Sequence, residues 1–434
     1  MSAAPDAPGR SGWEPALPVA LAARATDAAW DVLTRLSHEQ VLQEAIEVTA
    51  QQTQFPNAAG WEQHGLAQGH AGLALAAAHA HRCFPDETWD LVAHRQLALA
   101  AAAGTRRPLG PGLFSGLAGL AFVARYLARG DRYRRFSRTV RTQLDQATRE
   151  LAARVTRQPG DVAVSDYDVV SGLSGIATVS RVALDALIVL TEPTDDEVPR
   201  LATAPDRHVT ATLRAEFPQG SVNLGLAHGL PGPLSALASA ATSGEVTERL
   251  ATSIRFASDW LVRHRADDAW GVNWPAITPL PLDRGTAAPA RAAWCYGAPG
   301  VARALWLAGA ALRDRPQQRL AEEAIVAVLR RPDSVRQVES PTICHGLAGL
   351  LLVVLRFWHD TRDEVFRAAA VELTEQLLDA YEPGATLLGF QSVEPGGVPV
   401  DQPGLLDGAA GTALVLLAAS RPVSPEWDQA FALS

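Results

Sequence analysis

The chain has 434 residues, of which 47% are hydrophobic and 20% charged, a balance typical of a folded globular protein and not of a disordered one. Its formal net charge of -9 argues against nucleic acid as a partner, because binding phosphates requires a basic surface. The three cysteines are an odd and small number that does not suggest a disulfide framework, which favours reduced thiols and a cytoplasmic location.

The N-terminal segment comes first along the chain. Residues 1–20 are rich in proline and alanine and are predicted to be flexible, and their scattered charges do not form a signal peptide. Farther along, the apolar uncharged runs 346–355 and 408–420 are too short to cross a bilayer. We therefore expect no transmembrane segment, and any membrane association would be made through partners.

A Gly-x-x-Gly motif then recurs along the chain, each time followed by an apolar stretch. The first glycines of its seven copies are Gly69, Gly116, Gly172, Gly229, Gly297, Gly346 and Gly408. Their separations run from 47 residues (116 minus 69) to 68 residues (297 minus 229). A repeat of this length fits a helical hairpin, two helices with two loops.

The stretches within each repeat predict two kinds of helix. Runs such as 73–78 and 350–355 are apolar on all sides, which indicates buried inner helices, whereas 139–154 and 363–381 are amphipathic and indicate outer helices. The first and last repeats have equally apolar inner helices and no polar cap, so we expect a closed ring and not an open solenoid. The predicted fold is all-α, an α/α toroid of seven hairpins forming one domain over residues 1–434.

Two stretches interrupt the helical pattern. Residues 270–291 and 381–404 are rich in proline, glycine and turn residues, and 270–275 is predicted to form a short strand or hairpin. Each stretch lies just before a glycine motif. We therefore expect both to fold, as short irregular or β segments, over the end of the ring where the inner helices begin.

Candidate metal ligands stand before motifs five and six. Cys295 precedes one, and the adjacent pair Cys344 and His345 precedes the other, in a loop where both side chains can face one ion. Two cysteines and a histidine leave one position of a tetrahedral zinc open, as a catalytic zinc requires. The alternative is two buried apolar thiols and a histidine satisfied within the core.

The segments around these residues resemble the two zinc-binding signatures of the lanthionine synthetase C-like (LanC) cyclases. They read Trp-Cys-Tyr-Gly-Ala-Pro-Gly over 294–300 and Cys-His-Gly-Leu-Ala-Gly over 344–349, and a third motif, Gly-Leu-Ala-His-Gly, occupies 225–229. The chain resembles a stand-alone class I lanthipeptide cyclase. The resemblance implies one catalytic zinc on Cys295, Cys344 and His345.

The resemblance also implies catalytic roles for other residues. His228 would be an acid/base beside the zinc and Asp168 its partner, although a core histidine and a helix N-cap are the simpler interpretations. Arg291 lies four residues before Cys295, where the family carries an arginine, or it is an ordinary surface charge. Tyr296 could hydrogen-bond at the site or simply pack.

The implied reaction is a Michael-type addition of peptide cysteine thiols to dehydroalanine or dehydrobutyrine, which closes lanthionine or methyllanthionine thioether rings. The implied partners are a dehydrated precursor peptide with its leader, a separate dehydratase and a membrane-bound exporter. No Gly-x-x-x-x-Gly-Lys-Ser/Thr loop occurs in the sequence, which fits a cyclase that leaves dehydration to another protein.

Three other functions remain open from the sequence. One is a related enzyme that adds glutathione to dehydrated residues with the same zinc. Another is a non-catalytic zinc scaffold or thiol-binding module. The most distant is a helical-ring glycosidase, which would need two carboxylates flanking a cleft, and Asp168 and Asp407 are the candidates.

Overall fold

The computed structural model describes residues 12–157, 161–195, 197–244, 246–281, 288 and 290–434. Of the N-terminal segment predicted to be flexible, residues 1–11 lie outside the described residues. In the described remainder, Trp13 is buried and its indole Nε1 donates a hydrogen bond to Ala418 O at 2.8 Å, so this part is packed against the fold and differs from the expectation. A large apolar ring that can bury against the last repeat explains the difference.

The described residues form mostly α-helix. In chain order the α-helices are α1 (Val19–Ser37), α2 (Glu39–Gln52), α3 (Pro56–Ala59), α4 (His70–Cys83), α5 (Trp89–Gly104), α6 (Leu117–Leu127), α7 (Arg134–Arg157), α8 (Val164–Tyr167), α9 (Leu173–Ile176), α10 (Val182–Leu190), α11 (Ala211–Glu216), α12 (Pro231–Ser243), α13 (Glu248–Arg263), α14 (Ala298–Leu312), α15 (Arg315–Arg330), α16 (Asp333–Arg336), α17 (Leu347–Thr361), α18 (Glu364–Asp379) and α19 (Ala409–Ser420). Short 3-10 turns lie at Pro205–Arg207 and Glu426–Phe431.

Each glycine motif starts an inner helix, one or two residues after its first glycine. The inner positions are taken by α4, α6, α9 with α10, α12, α14, α17 and α19. Every residue of α19 is buried, as expected for a helix with neighbours on all sides. Helix α19 packs against both α17 and α4, so the last inner helix meets the first and the ring closes.

The outer helices α5, α7, α13, α15 and α18 each pack along the inner helix that precedes them. Their sequences are amphipathic, so one face covers the inner ring and the other meets solvent. The predicted α/α toroid is confirmed. In the seventh hairpin, the outer helix comes from the other end of the chain, because α1 packs along α19.

The third repeat departs from the regular hairpin. Its inner helix is divided into α9 and α10, and α10 packs against α7, the outer helix of the second repeat. A long connection follows before α12, and it contains the 3-10 turn Pro205–Arg207, the short helix α11 and the strand Ser221–Asn223 (β1).

Main-chain hydrogen bonds link the seven loops that precede the inner helices. The residues two positions before the first glycines are Ala67, Phe114, Val170, Ala227, Cys295, Cys344 and Leu406. Neighbouring loops bond at or next to these residues, through Ala67 N to Phe114 O, Phe114 N to Val170 O, Val169 N to Ala227 O, Ala227 N to Cys295 O, Cys295 N to Cys344 O, Cys344 N to Leu406 O and Leu406 N to Ala67 O, at 3.0–3.3 Å. This closed girdle holds equivalent residues of all seven repeats at one level.

Two small antiparallel pairs lie among the irregular segments. Strand β1 pairs with β2 (Ile277–Pro279), and β3 (Ser392–Glu394) pairs with β4 (Val398–Val400). Over 270–275, where a short strand or hairpin was predicted, no continuous strand forms, but Gly271 pairs with Asp268 in an isolated antiparallel bridge. The Asp268 carboxylate accepts hydrogen bonds from the backbone N–H groups of Trp270 and Gly271 and stabilises the turn closed by this bridge, whereas the three-residue strand β2 begins at Ile277. Residues 282–287 and 289 of this stretch lie outside the described residues.

No helix within the described part of the chain is both long enough and apolar enough to cross a membrane.

Candidate metal centre and histidine–aspartate pair

The predicted site residues come from equivalent positions of neighbouring repeats. His228, Tyr296 and His345 each stand directly before the first glycine of motifs four, five and six, and Asp407 takes that position in motif seven. The two cysteines stand one residue earlier, on the girdle of main-chain hydrogen bonds. The repeat therefore brings these side chains together at the end of the ring where α12, α14, α17 and α19 begin.

A cluster of metal-type ligands forms across repeats five to seven. The ligand atoms of Cys344, His345 and Asp407 all lie within 4.8 Å of one another, and His345 Nδ1 is 3.6 Å from Asp407 Oδ1. Cys295 is not part of this group of three, but its thiol lies near enough to that of Cys344 to raise the pKa of Cys344. Cys295 itself is buried, whereas the other three side chains are half-buried.

The electrostatics of this cluster favour a bound cation. The hydrogen bond with Cys295, burial and the Asp407 carboxylate together raise the pKa of the Cys344 thiol well above its ordinary value. Burial likewise raises the pKa of Asp407, and its Oδ1 is a buried oxygen that accepts no hydrogen bond from the described residues. Two sulfurs, an imidazole and an unsatisfied carboxylate oxygen suit zinc chemically, so the residues present fit that ion.

The structure pairs His228 with Asp168, as the resemblance suggested. His228 Nδ1 lies 2.7 Å from Asp168 Oδ2, and the other carboxylate oxygen accepts backbone N–H bonds from Ser171 at 2.7 Å and Gly172 at 2.8 Å. The side chain of Asp168 is only 3% exposed, while that of His228 is 37% exposed. Asp168 thus also performs the backbone-capping role that was the alternative interpretation, and it keeps the proton of the imidazole on Nδ1.

Tyr296 lies beside this pair. Its ring centroid is 6.1 Å from that of His228, and its Oη accepts a hydrogen bond from Asn223 Nδ2 at 3.0 Å. Burial raises the pKa of Tyr296, so the phenol stays protonated at neutral pH. Asn223 also accepts from Gly225 N at 2.9 Å, which ties β1 to the loop that carries His228.

A cavity of about 570 Å³ opens next to the ligand cluster. Its wall is formed by Phe55, Ala59, Arg291, Ser334, Gln337, Glu339, Ser340, His345, Ser392, Val393, Glu394, Pro395, Gln402 and Asp407. The exposed Arg291 therefore shares a cavity with His345 and Asp407, and the β3–β4 hairpin closes one side. His228 and Asp168 do not line it, so the histidine pair lies outside this wall.

Sequence reasoning did not assign two of the residues found here. Asn223 belongs to none of the sequence motifs, and its contact with Tyr296 depends on a strand pairing with no local signature. Asp407 was considered only as a glycosidase acid. The signal that could have identified it is its place directly before the first glycine of motif seven, equivalent to that of His345.

The fold and the site together define a class of protein, a closed helical ring with a thiol-rich metal-type centre where its inner helices begin. Residues 60–432 match the family model described as lanthionine synthetase C-like protein. The chain therefore belongs to the lanthionine synthetase C-like family, which confirms the resemblance found in the sequence.

Individual proteins agree with this assignment. The chain is 24% identical over 291 residues to the nisin biosynthesis protein NisC of Lactococcus lactis subsp. lactis, covering 62% of this chain and 68% of that protein. The solved structure of nisin cyclase superposes with a TM-score of 0.74 at 21% identity, covering 91% of this chain and 98% of that one. At this identity the structural likeness establishes the fold.

Proposed function

We propose that this protein is a zinc-dependent lanthipeptide cyclase that adds peptide cysteine thiols to dehydroalanine or dehydrobutyrine. The chain is an enzyme of the lanthionine synthetase class, in keeping with its family and with its similarity to a nisin biosynthesis protein. The observation that carries the proposal is the group of ligand-type atoms from Cys344, His345 and Asp407, with Cys295 next to Cys344 and the His228–Asp168 pair formed from the preceding repeats.

Cys295, Cys344 and His345 would hold the zinc. When bound there, zinc supplies the substrate sulfur as a thiolate, because metal binding deprotonates a thiol that is otherwise mostly protonated at neutral pH. The cavity beside the cluster gives the peptide access to this centre, since His345 lines its wall.

His228 is the proposed proton donor. Addition of the sulfur to the β-carbon leaves an enolate on the peptide, and this enolate must be protonated at its α-carbon. With Nδ1 held by Asp168 at 2.7 Å, the imidazolium can deliver its other proton from Nε2. The Asp168 carboxylate stabilises the charged ring before transfer and fixes the ring orientation afterwards.

Two further side chains support this step in the proposal. Arg291 shares the cavity with His345 and can stabilise the negative enolate oxygen. Tyr296 is a protonated phenol held by Asn223 beside the imidazole, and it can orient the peptide or the histidine.

The proposed substrate is a precursor peptide with its leader, already dehydrated by a separate enzyme. The reaction consumes dehydro residues, so the dehydratase must act first. A membrane-bound exporter that takes the finished peptide completes the proposed set of partners, and we place the reaction in the cytoplasm, where thiols stay reduced.

The first test measures zinc by elemental mass spectrometry together with cyclisation of a dehydrated peptide, scored by the loss of alkylatable thiols. We expect about one zinc per wild-type chain. Cys344→Ala should lose both zinc and cyclisation, and His228→Ala should keep zinc and lose cyclisation. Full cyclisation by zinc-free wild type would refute the proposal.

A control reaction separates the glutathione alternative. A dehydrated peptide without cysteine is incubated with the enzyme and glutathione. If adducts form rapidly there, and rings do not form in the cysteine-containing peptide, the enzyme adds small thiols. Retained function in both His228→Ala and Asp168→Ala would instead indicate a non-catalytic scaffold.

A further inference from the structure

The Asp407 side chain is half-buried, and one of its two carboxylate oxygens is fully buried. It stands directly before the first glycine of the last repeat, one repeat beyond His345, and the backbone bond from Cys344 N to Leu406 O at 3.1 Å fixes its loop against the cysteine. Its Oδ1 is buried and accepts no hydrogen bond from the described residues. A buried carboxylate oxygen without a donor is costly, so this oxygen calls for a partner that is a cation or a donor.

Neither of the two titratable neighbours, Cys344 and His345, satisfies this oxygen: the Cys344 thiol is close enough to lower the pKa of Asp407, yet Oδ1 accepts no hydrogen bond from the described residues. His345 Nδ1 lies 3.6 Å from Asp407 Oδ1, which is longer than the range of about 2.7–3.2 Å for an N–H···O hydrogen bond. Among the ion pairs of the described residues, that histidine is the one partner found for Asp407. The two atoms are neighbours without being bonded to each other.

The same spacing fits two ligands of one tetrahedral zinc. With zinc–nitrogen and zinc–oxygen bonds of about 2.0–2.2 Å and a zinc–sulfur bond of about 2.3 Å, nitrogen and oxygen ligands would lie roughly 3.4 Å apart, and a sulfur roughly 3.6 Å from either. The ligand atoms of Cys344, His345 and Asp407 all fall within 4.8 Å of one another, and Cys295 lies next to Cys344, close enough to raise the pKa of its thiol. Four protein ligands are therefore at hand where the proposed function uses three.

We infer that Asp407 is the fourth protein ligand of the zinc before substrate binds, and that the substrate thiolate takes its place. This inference rests on the proposed function. Asp407 lines the same cavity as His345, so an incoming sulfur reaches the metal position from the side where the carboxylate lies. The displaced carboxylate stays in the cavity wall, and the thiol proton passes to solvent. Such a site is closed at rest and opens only to a ligand stronger than a carboxylate.

The test uses the full-length protein with zinc replaced by Co²⁺, whose absorption reports both sulfur ligation and coordination geometry. The variants are Asp407→Asn and Asp407→Ala, with Cys344→Ala as a ligand-loss reference. Glu339→Gln is the matched control, because Glu339 lines the same cavity and is exposed. Metal affinity is measured by competition with a chromophoric chelator, and thiol binding by titration with 2-mercaptoethanol.

We expect the two Asp407 variants to bind metal about tenfold or more weakly than wild type. The same variants should bind 2-mercaptoethanol severalfold more tightly, because no protein ligand has to leave. Glu339→Gln should change neither value appreciably. This opposite movement of the two affinities is the signature of a displaced ligand.

Other results overturn the inference. Unchanged metal affinity in both Asp407 variants would exclude ligation, and a parallel weakening of metal and thiol binding would mean that Asp407 only orients His345. If Cys344→Ala loses the metal while the Asp407 variants keep it, the proposed function stands and this inference fails. If wild type binds neither Zn²⁺ nor Co²⁺, the proposed function fails as well.

Discussion

The Asp168 side chain makes two kinds of contact: it caps backbone N–H groups and it holds the imidazole of His228. One oxygen accepts the N–H groups of Ser171 and Gly172, and the other contacts His228 Nδ1. Because the carboxylate is buried and held at both oxygens, the imidazole is oriented by a rigid partner and not by a mobile surface charge.

Asp168→Asn separates these two tasks. The amide oxygen can still accept the two backbone N–H groups, but the amide nitrogen facing His228 forces the imidazole proton away from Nδ1. We expect single-turnover cyclisation to slow by about 10²–10⁴-fold, with the free energy of unfolding changed by about 1 kcal/mol or less. The exposed Asp161, paired with Arg207, provides the neutral control Asp161→Asn. A wild-type cyclisation rate in Asp168→Asn would remove the pair from the mechanism.

Individual site residues could be predicted from the sequence where they occupy equivalent positions in the repeats. Cys295, Cys344, His345 and His228 could be selected because each stands one or two residues before a glycine motif, and the structure places them at one end of the ring. The contact of Asn223 with Tyr296 could not be predicted, because it depends on pairing between strands more than fifty residues apart.

At the scale of the elements, the glycine motif lets each inner helix start close to its neighbour's loop. Gly297, at the start of α14, has φ +114°, and a Cβ there would lie 1.6 Å from the Arg291 main-chain oxygen. No side chain fits without moving the backbone that carries Arg291.

Gly297→Ala should therefore lower the free energy of unfolding by about 1–3 kcal/mol or more, measured by urea denaturation. Its control is Gly384→Ala, where a Cβ would have no neighbour within 4 Å and no positive φ is required. We expect the control to change stability by less than about 1 kcal/mol. Equal stability of the two variants would show that the loop before α14 adjusts freely.

The sequence predicted the inner helices well because their apolar pattern and glycine starts are local signals. It did not predict the break between α9 and α10. There Thr178 Oγ1 bonds to Gly175 O, Ser180 Oγ bonds to Asp145, and Arg125 donates to Thr178 O. These side-chain bonds compete with the helical ladder, and two of them involve residues of the second repeat, Arg125 in α6 and Asp145 in α7.

At the scale of the whole molecule, burial of ionisable groups inside the ring makes stability depend on pH. His79 of α4 is fully buried, with Nδ1 2.9 Å from the Tyr126 hydroxyl, and burial lowers its pKa from 6.5 to about 3. Below pH 6.5 the unfolded chain binds a proton at this histidine that the folded chain does not. Acid therefore favours unfolding through His79 over the interval from pH 6.5 down to about 3.

Lowering the pH from 7 to 5 should cost about 2 kcal/mol of folding free energy through His79 alone. The measurement compares urea unfolding at pH 7, 6 and 5 for wild type and His79→Gln, which cannot titrate. The variant should show a shallower loss of stability towards acid, whatever its stability at pH 7. Parallel pH profiles would contradict the prediction.

The closure of the ring could be predicted only in outline. The equally apolar first and last repeats indicated a ring, but the pairing of α1 with α19 joins segments with no shared motif at opposite ends of the sequence. Trp13, whose indole bonds to Ala418 O, is part of the same closure.

That closure has a consequence for synthesis. Helix α1 ends 372 residues (409 minus 37) before α19 begins, so at about 5–20 residues per second a ribosome takes roughly 20–75 seconds to deliver its partner. During that interval the apolar face of α1 is exposed on the nascent chain. The ring can close only after α19 emerges from the ribosome, and the centre at the start of α14, α17 and α19 can assemble only then. We therefore expect the ring to form after α19 is synthesised, and the exposed apolar face of α1 to be a binding target for a chaperone in the meantime.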